Sequence, residues 1–146
     1  MLNTLKDVFA SLNAHEVKYL VIGGIAAVLY GVPRATLDLD ILIEATHDNA
    51  ARLLDALAKA NITSANLTSP KEILSNDVTV FKDRIRLDVQ TNTPGLDFEA
   101  AWERRNLMQY QGQPFYVVSL EDLIASKVAA GRPKDLEDVE ALRPKD

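Results

Sequence analysis

Cysteine is absent from this chain of 146 residues, which excludes disulfide bonds and thiolate metal sites and is compatible with a reducing compartment. Histidine is nearly absent, so any metal ion must be held by oxygen ligands or by His15 and His47. No apolar run approaches the roughly 18 residues that a membrane span needs, and the first residues lack the basic and apolar regions of a signal peptide. We therefore expect a soluble, cytoplasmic protein with no membrane partner.

Basic residues are fewer than acidic ones: the chain has 16 lysines and arginines and 21 aspartates and glutamates, for a net charge of −5. The basic residues are scattered, whereas a surface that binds a nucleic-acid duplex normally carries a basic stripe. The composition does not point to nucleic acid and leaves it open as a partner. A hydrophobic content of 47% and a length of 146 residues are typical of one soluble globular domain.

Hydrophobic periodicity predicts helices interleaved with strands. The expected strands cover 18–22, 37–43, 78–81 and 84–91, with two short strands around 111–114. The expected helices cover 2–14, 25–31, 48–62, 71–75, 97–105 and 119–131, with a last helix starting near Pro133. We expect Asp48 to cap the helix over 48–62, and Ser119 with Asp122 to form a variant capping box.

This order of elements predicts an α/β (α+β) fold in which helices flank a mixed sheet and a hairpin lies in the middle of the chain. We expect one domain over 1–146, with an α/β core over 1–118 and C-terminal helices over 119–146.

Three aspartates alternate with hydrophobic residues in the predicted strands. Asp38 and Asp40 are two residues apart, so on a strand they share one face, and Asp88 alternates in the same way in "RIRLDVQT". If these two strands are neighbours, three carboxylates converge. Such a set of hard oxygen ligands suits one or two Mg²⁺ ions and leaves coordination positions for substrate phosphates.

A glycine pair, Gly23 and Gly24, separates the first predicted strand from the following helix. A glycine turn before a helix exposes backbone N–H groups that can bind a phosphate. It is not a Walker loop, because no G-K-[ST] follows. An anion-binding turn beside an acidic cluster indicates a metal–polyphosphate ligand.

Each of these features taken alone has an ordinary interpretation. A D-x-D pair is most often solvated surface, a glycine pair is most often a turn, and Asp88 alone would be the polar side of an edge strand. Their joint placement, with the glycine pair after one strand and the acids on two later ones, favours the functional interpretation.

The segments "VIGG", "TLDLDIL" and "RLDVQ" together resemble the nucleotidyltransferase superfamily that shares a palm-like fold with DNA polymerase beta. The longer stretch "GGIAAVLYGVPRATLDLD" is similar to small bacterial and archaeal members, including relatives of the AbiEii-like abortive-infection toxins. Those relatives also carry a lysine and an R-x-K-D-x-x-D element near the C-terminus, which "ASKVAAGRPKDLEDVEAL" matches.

The resemblance implies that Asp38 and Asp40 are metal ligands and that Asp88 is the third ligand or the general base. The nucleotide-binding residues that it implies are Gly23, Gly24, Arg34, Thr36, Lys127 and Asp135. The implied cofactor is Mg²⁺, as one or two ions, with Mn²⁺ as a substitute. From the sequence alone, Lys127 is equally a charged residue on a helix surface, and Asp135 equally an acid that stabilises the first turn of the last helix.

The activity implied is Mg²⁺-dependent transfer of a nucleoside monophosphate from an NTP such as ATP to a hydroxyl group, with release of pyrophosphate. The acceptor stays open between tRNA or another nucleic-acid end, a protein side chain and a small molecule. The alternative is a non-catalytic module of the same fold that binds nucleotide or a toxin–antitoxin partner. A homodimer and an antitoxin are both compatible with the sequence.

Overall fold

Six strands form one mixed sheet in the computed structural model, which describes residues 2–36 and 38–143. The strands are β1 (Tyr19–Ile22), β2 (Leu39–Ile43), β3 (Val78–Lys82), β4 (Arg86–Gln90), β5 (Asn106–Tyr110) and β6 (Gln113–Val117). The α-helices are α1 (Leu2–Ala14), α2 (Gly23–Leu29), α3 (His47–Lys59), α4 (Pro70–Ser75), α5 (Phe98–Glu103), α6 (Leu120–Ala130) and α7 (Pro133–Leu142), with a 3₁₀ turn over Thr63–Leu67. The predicted α/β class with a mixed sheet flanked by helices is confirmed.

The strand order across the sheet is β3-β4-β2-β1-β6-β5. β2 runs antiparallel to β1 and parallel to β4. The condition set by the sequence is therefore met, because the two aspartate-bearing strands are neighbours and their register places Asp40 directly beside Asp88.

The core strands differ in how they are buried, and this sets where polar groups can lie. All four residues of β1 are buried, which is why its sequence is a continuous apolar run. β4 is two-faced, because Leu87 and Val89 are fully buried while Asp88 between them reaches the other side of the sheet. The polar residues of β4 thus project from one face without entering the core.

Helices α1 and α3 pack together beside β6 and cover part of the apolar side of the sheet. Phe9 of α1 stacks on Phe115 of β6 with ring centroids 4.5 Å apart. The Ser11 hydroxyl donates a 2.6 Å hydrogen bond to the carbonyl of Ala56, which joins the two helices. The amphipathic helix predicted over 2–14 is confirmed by this packing.

Several predicted boundaries and caps are corrected. The cap of α3 is Thr46, whose hydroxyl accepts from the Asn49 amide at 3.2 Å, and the predicted cap Asp48 lies in the first turn instead. Thr46 precedes the first helical residue, which is where a cap must stand. The strand predicted over 37–43 begins at Leu39, and Leu37 lies outside the described residues.

The cap predicted for α6 is confirmed only in part. The Ser119 hydroxyl accepts from the Asp122 amide at 3.1 Å, as in a capping box. The Asp122 carboxylate accepts hydrogen bonds from Arg104 at 2.8 and 3.0 Å, and so binds α5 to α6 rather than completing the box. Among the described residues, no helix has both the length and the apolarity needed to cross a membrane.

Candidate functional site

The glycine turn lies against the carboxylate of Asp40. Gly23 has φ +69°, a conformation that L side chains rarely adopt, and a Cβ added there would overlap Asp40 Oδ2. The backbone N–H of the next residue, Gly24, is near enough to the Asp40 carboxylate to lower its pKa. Glycine is therefore required at position 23 both by the backbone conformation and by the closeness of the acid.

Replacing Gly23 by alanine is expected to cost more stability than the same change at a glycine with space around it. Gly112, in the β5–β6 turn, has φ +81° and no atom within 4 Å of an added Cβ, so it isolates the backbone effect. Gly112→Ala should cost about 1 kcal/mol, and Gly23→Ala about 1–3 kcal/mol more because of the overlap with Asp40. Urea unfolding of both variants measures the difference, and equal costs would contradict the crowding at Gly23.

Asp40 and Asp88 form a close pair of acids on adjacent parallel strands. They are register partners, and the charge of Asp88 acts on the Asp40 carboxylate. Burial, together with the negative charges of Asp88 and Asp38, raises the pKa of Asp40 to about 6, and the amide of Gly24 opposes this rise. A pair of acids held so close is stabilised by a shared proton or by a cation.

Asp38 is exposed and precedes β2, and its charge acts on Asp40 from the end of that strand. Among residues 2–36 and 38–143, no three histidines, aspartates or glutamates are grouped closely enough to hold a metal ion. Mg²⁺ is usually held by only one or two carboxylates, with waters and substrate phosphates completing its shell. The Asp40–Asp88 pair fits that requirement, with Asp38 beside it.

A buried network of charges lies behind the turn, where α6 and α7 meet the loop before β2. Lys127 of α6 has 7% of its side chain exposed, and Asp135 and Asp138 of α7 have 2% each. The Lys127 ammonium lies 2.8 Å from Asp138 Oδ2 and 3.7 Å from Asp135 Oδ1. Each acid also binds one arginine, since Arg34 contacts Asp138 at 2.5 and 2.9 Å and Arg132 contacts Asp135 at 2.6 and 3.2 Å.

The basic partners determine the ionisation of both buried acids. Burial by itself would raise the pKa of Asp135, but hydrogen bonds and charge from Arg132, with the charge of Lys127, hold it below its usual value. Burial would likewise raise the pKa of Asp138, and its contacts with Lys127 and Arg34 lower it. Both carboxylates are therefore ionised at neutral pH.

A cleft of about 170 Å³ connects this network with the glycine turn. Its lining includes Gly23 and Gln90 from the sheet region and Lys127, Arg132 and Asp135 from the ion network. The cleft therefore has an ammonium and a guanidinium at its wall, beside the backbone turn that contacts Asp40.

A family comparison adds to this geometry. The sequence profile of the family described as "nucleotidyltransferase of unknown function (DUF6036)" matches residues 2–143. The chain belongs to this family. No curated protein sequence matches the chain.

Two crystal structures of nucleotidyltransferase-like proteins share the fold with this member of the DUF6036 family. One, from Thermotoga maritima and described provisionally as a nucleotidyltransferase, has a TM-score of 0.61 and 17% identity over 96% of this chain and 90% of its own. The other is an antigenic nucleotidyltransferase-like protein from Paracoccidioides brasiliensis, with a TM-score of 0.58 and 19% identity over 97% of this chain and 74% of its own. At these identities the likeness concerns the fold.

In this DUF6036 chain, the residues singled out in the sequence fall into two adjoining groups. The first is the glycine turn with its acids, and it consists of Gly23, Gly24, Asp38, Asp40 and Asp88. The second is the ion network, which includes Arg34, Lys127 and Asp135. Thr36 lies next to the first group, since a Cβ at Gly24 would stand 3.4 Å from its hydroxyl.

These positions bear on the alternatives that the sequence left open for Lys127 and Asp135. Lys127 is not on a helix surface, because only 7% of its side chain is exposed. Asp135 stabilises the first turn of α7, as one of the two alternatives had it, because its carboxylate accepts from the Arg132 backbone amide at 3.3 Å. Arg34 contacts Asp138, an interaction that the sequence pattern did not suggest.

The sequence patterns predicted no role for three charged residues of the site, namely Arg86, Arg132 and Asp138. The spacing of Asp135 and Asp138, three residues apart, places both on one side of a helix and is a signal for Asp138. Arg86 stands two residues before Asp88, so on a strand it shares that residue's face. Arg132 precedes Pro133, a first-turn proline, and so stands at the helix cap.

Proposed function

We propose that this chain is a Mg²⁺-dependent nucleotidyltransferase that moves a nucleoside monophosphate from an NTP to a hydroxyl acceptor and releases pyrophosphate. The observation that carries the proposal is the in-register pairing of Asp40 and Asp88 against the glycine turn at Gly23. Membership of a family described as nucleotidyltransferases supports it. The similarity of the sequence motifs to the polymerase beta-like superfamily, and to AbiEii-related members, is the basis for the finer assignment.

Asp40 and Asp88 would hold the metal ion, with Asp38 completing the ligand set from the end of β2. Bound Mg²⁺, or Mn²⁺ in its place, would supply neutralisation of the triphosphate charge and of the charge that develops on the leaving pyrophosphate. The proximity of like charges in the Asp40–Asp88 pair supports this role, because a cation relieves their repulsion.

Asp88 would also act as the general base. The hydroxyl proton of the acceptor passes to its carboxylate as the oxygen forms a bond to the α-phosphorus. The bond from the α-phosphorus to the oxygen that bridges to the β-phosphorus breaks, and its electron pair leaves with pyrophosphate. Asp88 stands at the exposed face of β4, with 19% of its side chain accessible, so an acceptor can approach it.

The triphosphate would lie along the cleft between the glycine turn and α6. Lys127 would face it from the cleft wall, with Asp138 fixing the position of the ammonium at 2.8 Å and Asp135 adding its charge from 3.7 Å. Gly23 and Gly24 allow close approach of the backbone, and Thr36 borders the turn. Arg34 would act through Asp138 by holding the loop before β2 against α7.

Nucleotide binding tests the proposal by thermal unfolding with each NTP, in Mg²⁺ or in EDTA. At least one NTP is expected to raise the Tm by about 5–10 °C when it saturates the site, and by more in Mg²⁺ than in EDTA. Asp40→Asn should remove the part of the Tm increase that depends on Mg²⁺. The matched change Asp7→Asn, on the exposed side of α1, should leave that part unchanged. A lack of any shift with all NTPs would contradict the proposed function.

A further inference from the structure

Arg86 makes a direct contact with one of the proposed metal ligands. It lies on β4 two residues before Asp88, so both side chains leave the same face of the strand. The Arg86 Nε donates to Asp88 Oδ1 at 3.1 Å. The contact joins a positive side chain to the oxygen ligand set that the proposed activity needs.

The surroundings of Arg86 are asymmetric in charge. On one side its cross-strand partner is Lys82 of β3, which carries the same charge. On the other side lies β2, where Leu39 pairs with Leu87 of β4. Asp38 and Arg86 each stand one residue before this pair along the chain. The guanidinium of Arg86 is therefore attracted to Asp88 on the acidic side and repelled by Lys82 on the other.

We propose that Arg86 is an internal counter-ion of the carboxylate cluster and that it competes with the divalent cation for Asp88. This inference rests on the proposed metal-dependent function. A cation bound by Asp88 and a guanidinium bound by the same carboxylate repel each other, so each weakens the binding of the other. Arg86 has 45% of its side chain exposed, which gives it room to leave Asp88 toward solvent when a metal ion arrives.

The contact occupies an oxygen that the proposed metal ion would need. Asp88 Oδ1 accepts from Arg86 Nε at 3.1 Å. Release of Arg86 frees Oδ1 of Asp88 on the same face of the sheet as Asp40. A guanidinium released there carries a planar set of donors suited to a phosphate of the incoming substrate.

Calorimetric titration with Mn²⁺ in the absence of nucleotide tests the inference. Arg86→Gln removes the competing charge and should tighten Mn²⁺ binding about three- to fivefold, the range of a partly exposed ion pair. Arg86→Lys keeps the charge and should stay near the wild-type affinity. The matched control Arg84→Gln changes the net charge equally in the exposed turn of the same hairpin and should tighten binding less than twofold, because screening weakens distant charges.

Equal affinities in Arg86→Gln and Arg84→Gln would overturn the inference, since the effect would then be one of net charge. Weaker binding in Arg86→Gln would also overturn it, because Arg86 would then orient Asp88 for the metal. If the wild type binds Mn²⁺ and Asp40→Asn does not, the proposed metal site stands whichever result Arg86→Gln gives. If neither the wild type nor Arg86→Gln binds Mn²⁺, both proposals fail.

Discussion

Asp138→Asn is expected to lower the free energy of unfolding by about 3 kcal/mol or more at pH 7, the usual cost of removing one partner from a buried ion pair. The change leaves Lys127 buried with only Asp135, 3.7 Å away, to compensate its charge. It also leaves one acceptor oxygen in place of the two that Arg34 binds on α7, and removes the negative charge between them. Urea unfolding followed by circular dichroism measures the loss.

Two comparisons identify the cause of this loss. Glu137→Gln changes the neighbouring, exposed acid of α7 and should stay within about 0.5 kcal/mol of the wild type. The double variant Lys127→Met/Asp138→Asn should cost less than the sum of its single changes, because the methionine leaves no buried charge unpaired. A cost below about 1 kcal/mol for Asp138→Asn would mean that the network does not stabilise the fold.

Acid should reduce the difference between the wild type and Asp138→Asn. The pKa of Asp138 is lower in the folded chain than in the unfolded chain, so its ionised form is favoured by folding. That contribution is present above the ordinary aspartate pKa, about 4, and is lost as the pH falls through the lowered value. The two unfolding curves should therefore converge below pH 4.

Asp40→Asn is expected to have opposite effects on activity and stability. The proposed transfer should fall by about a thousandfold, since the electrostatic contribution of a catalytic metal is several kcal/mol. Stability in EDTA at pH 7 should rise by about 1–3 kcal/mol. The asparagine oxygen can still accept from the Gly24 amide, while its NH₂ can donate to Asp88 in place of a repelling charge.

The sign of the stability change follows from the pKa of Asp40, which is raised to about 6 in the folded chain. Folding disfavours the ionised form of Asp40. Its contribution to the free energy of unfolding is therefore fully present below the unfolded pKa and is lost as the pH rises through 6. Asparagine lacks this titration and avoids the loss. Added Mg²⁺ should raise the Tm of the wild type and not that of the variant. A less stable variant in EDTA would contradict the strained acid pair.

The fold and the acidic part of the site could be predicted because their signals are local. Alternation around Asp88 marks a two-faced strand, and the glycine pair marks a turn between strand and helix. Whether β2 and β4 are neighbouring strands could not be predicted, because a long crossover through α3, α4 and β3 separates them along the chain. The residue-by-residue register that sets Asp40 beside Asp88 depends on how that crossover packs.

The ion network could not be predicted because its partners come from distant parts of the chain. Arg34 and Asp138 are 104 residues apart, and the sequence around each is compatible with solvent exposure. The burial of Lys127 likewise depends on how α7 folds back on α6, which periodicity within α6 does not determine. The pairing of Arg86 with Asp88 is local, and their spacing of two on a strand is a signal that could have indicated it, although Arg86 had no assigned role.

The most direct test of the central claim is transfer of label from NTPs to acceptors in cell extract with Mg²⁺ or Mn²⁺. Each NTP is supplied with label either on the α-phosphate or on the γ-phosphate, to the wild type, to Asp40→Asn and to Asp7→Asn. Nucleotidyl transfer predicts an acceptor labelled from the α-position only, with pyrophosphate released, in the wild type and Asp7→Asn but not in Asp40→Asn. Nucleotide binding without label transfer, transfer of the γ-label, or transfer that persists in Asp40→Asn would contradict the account.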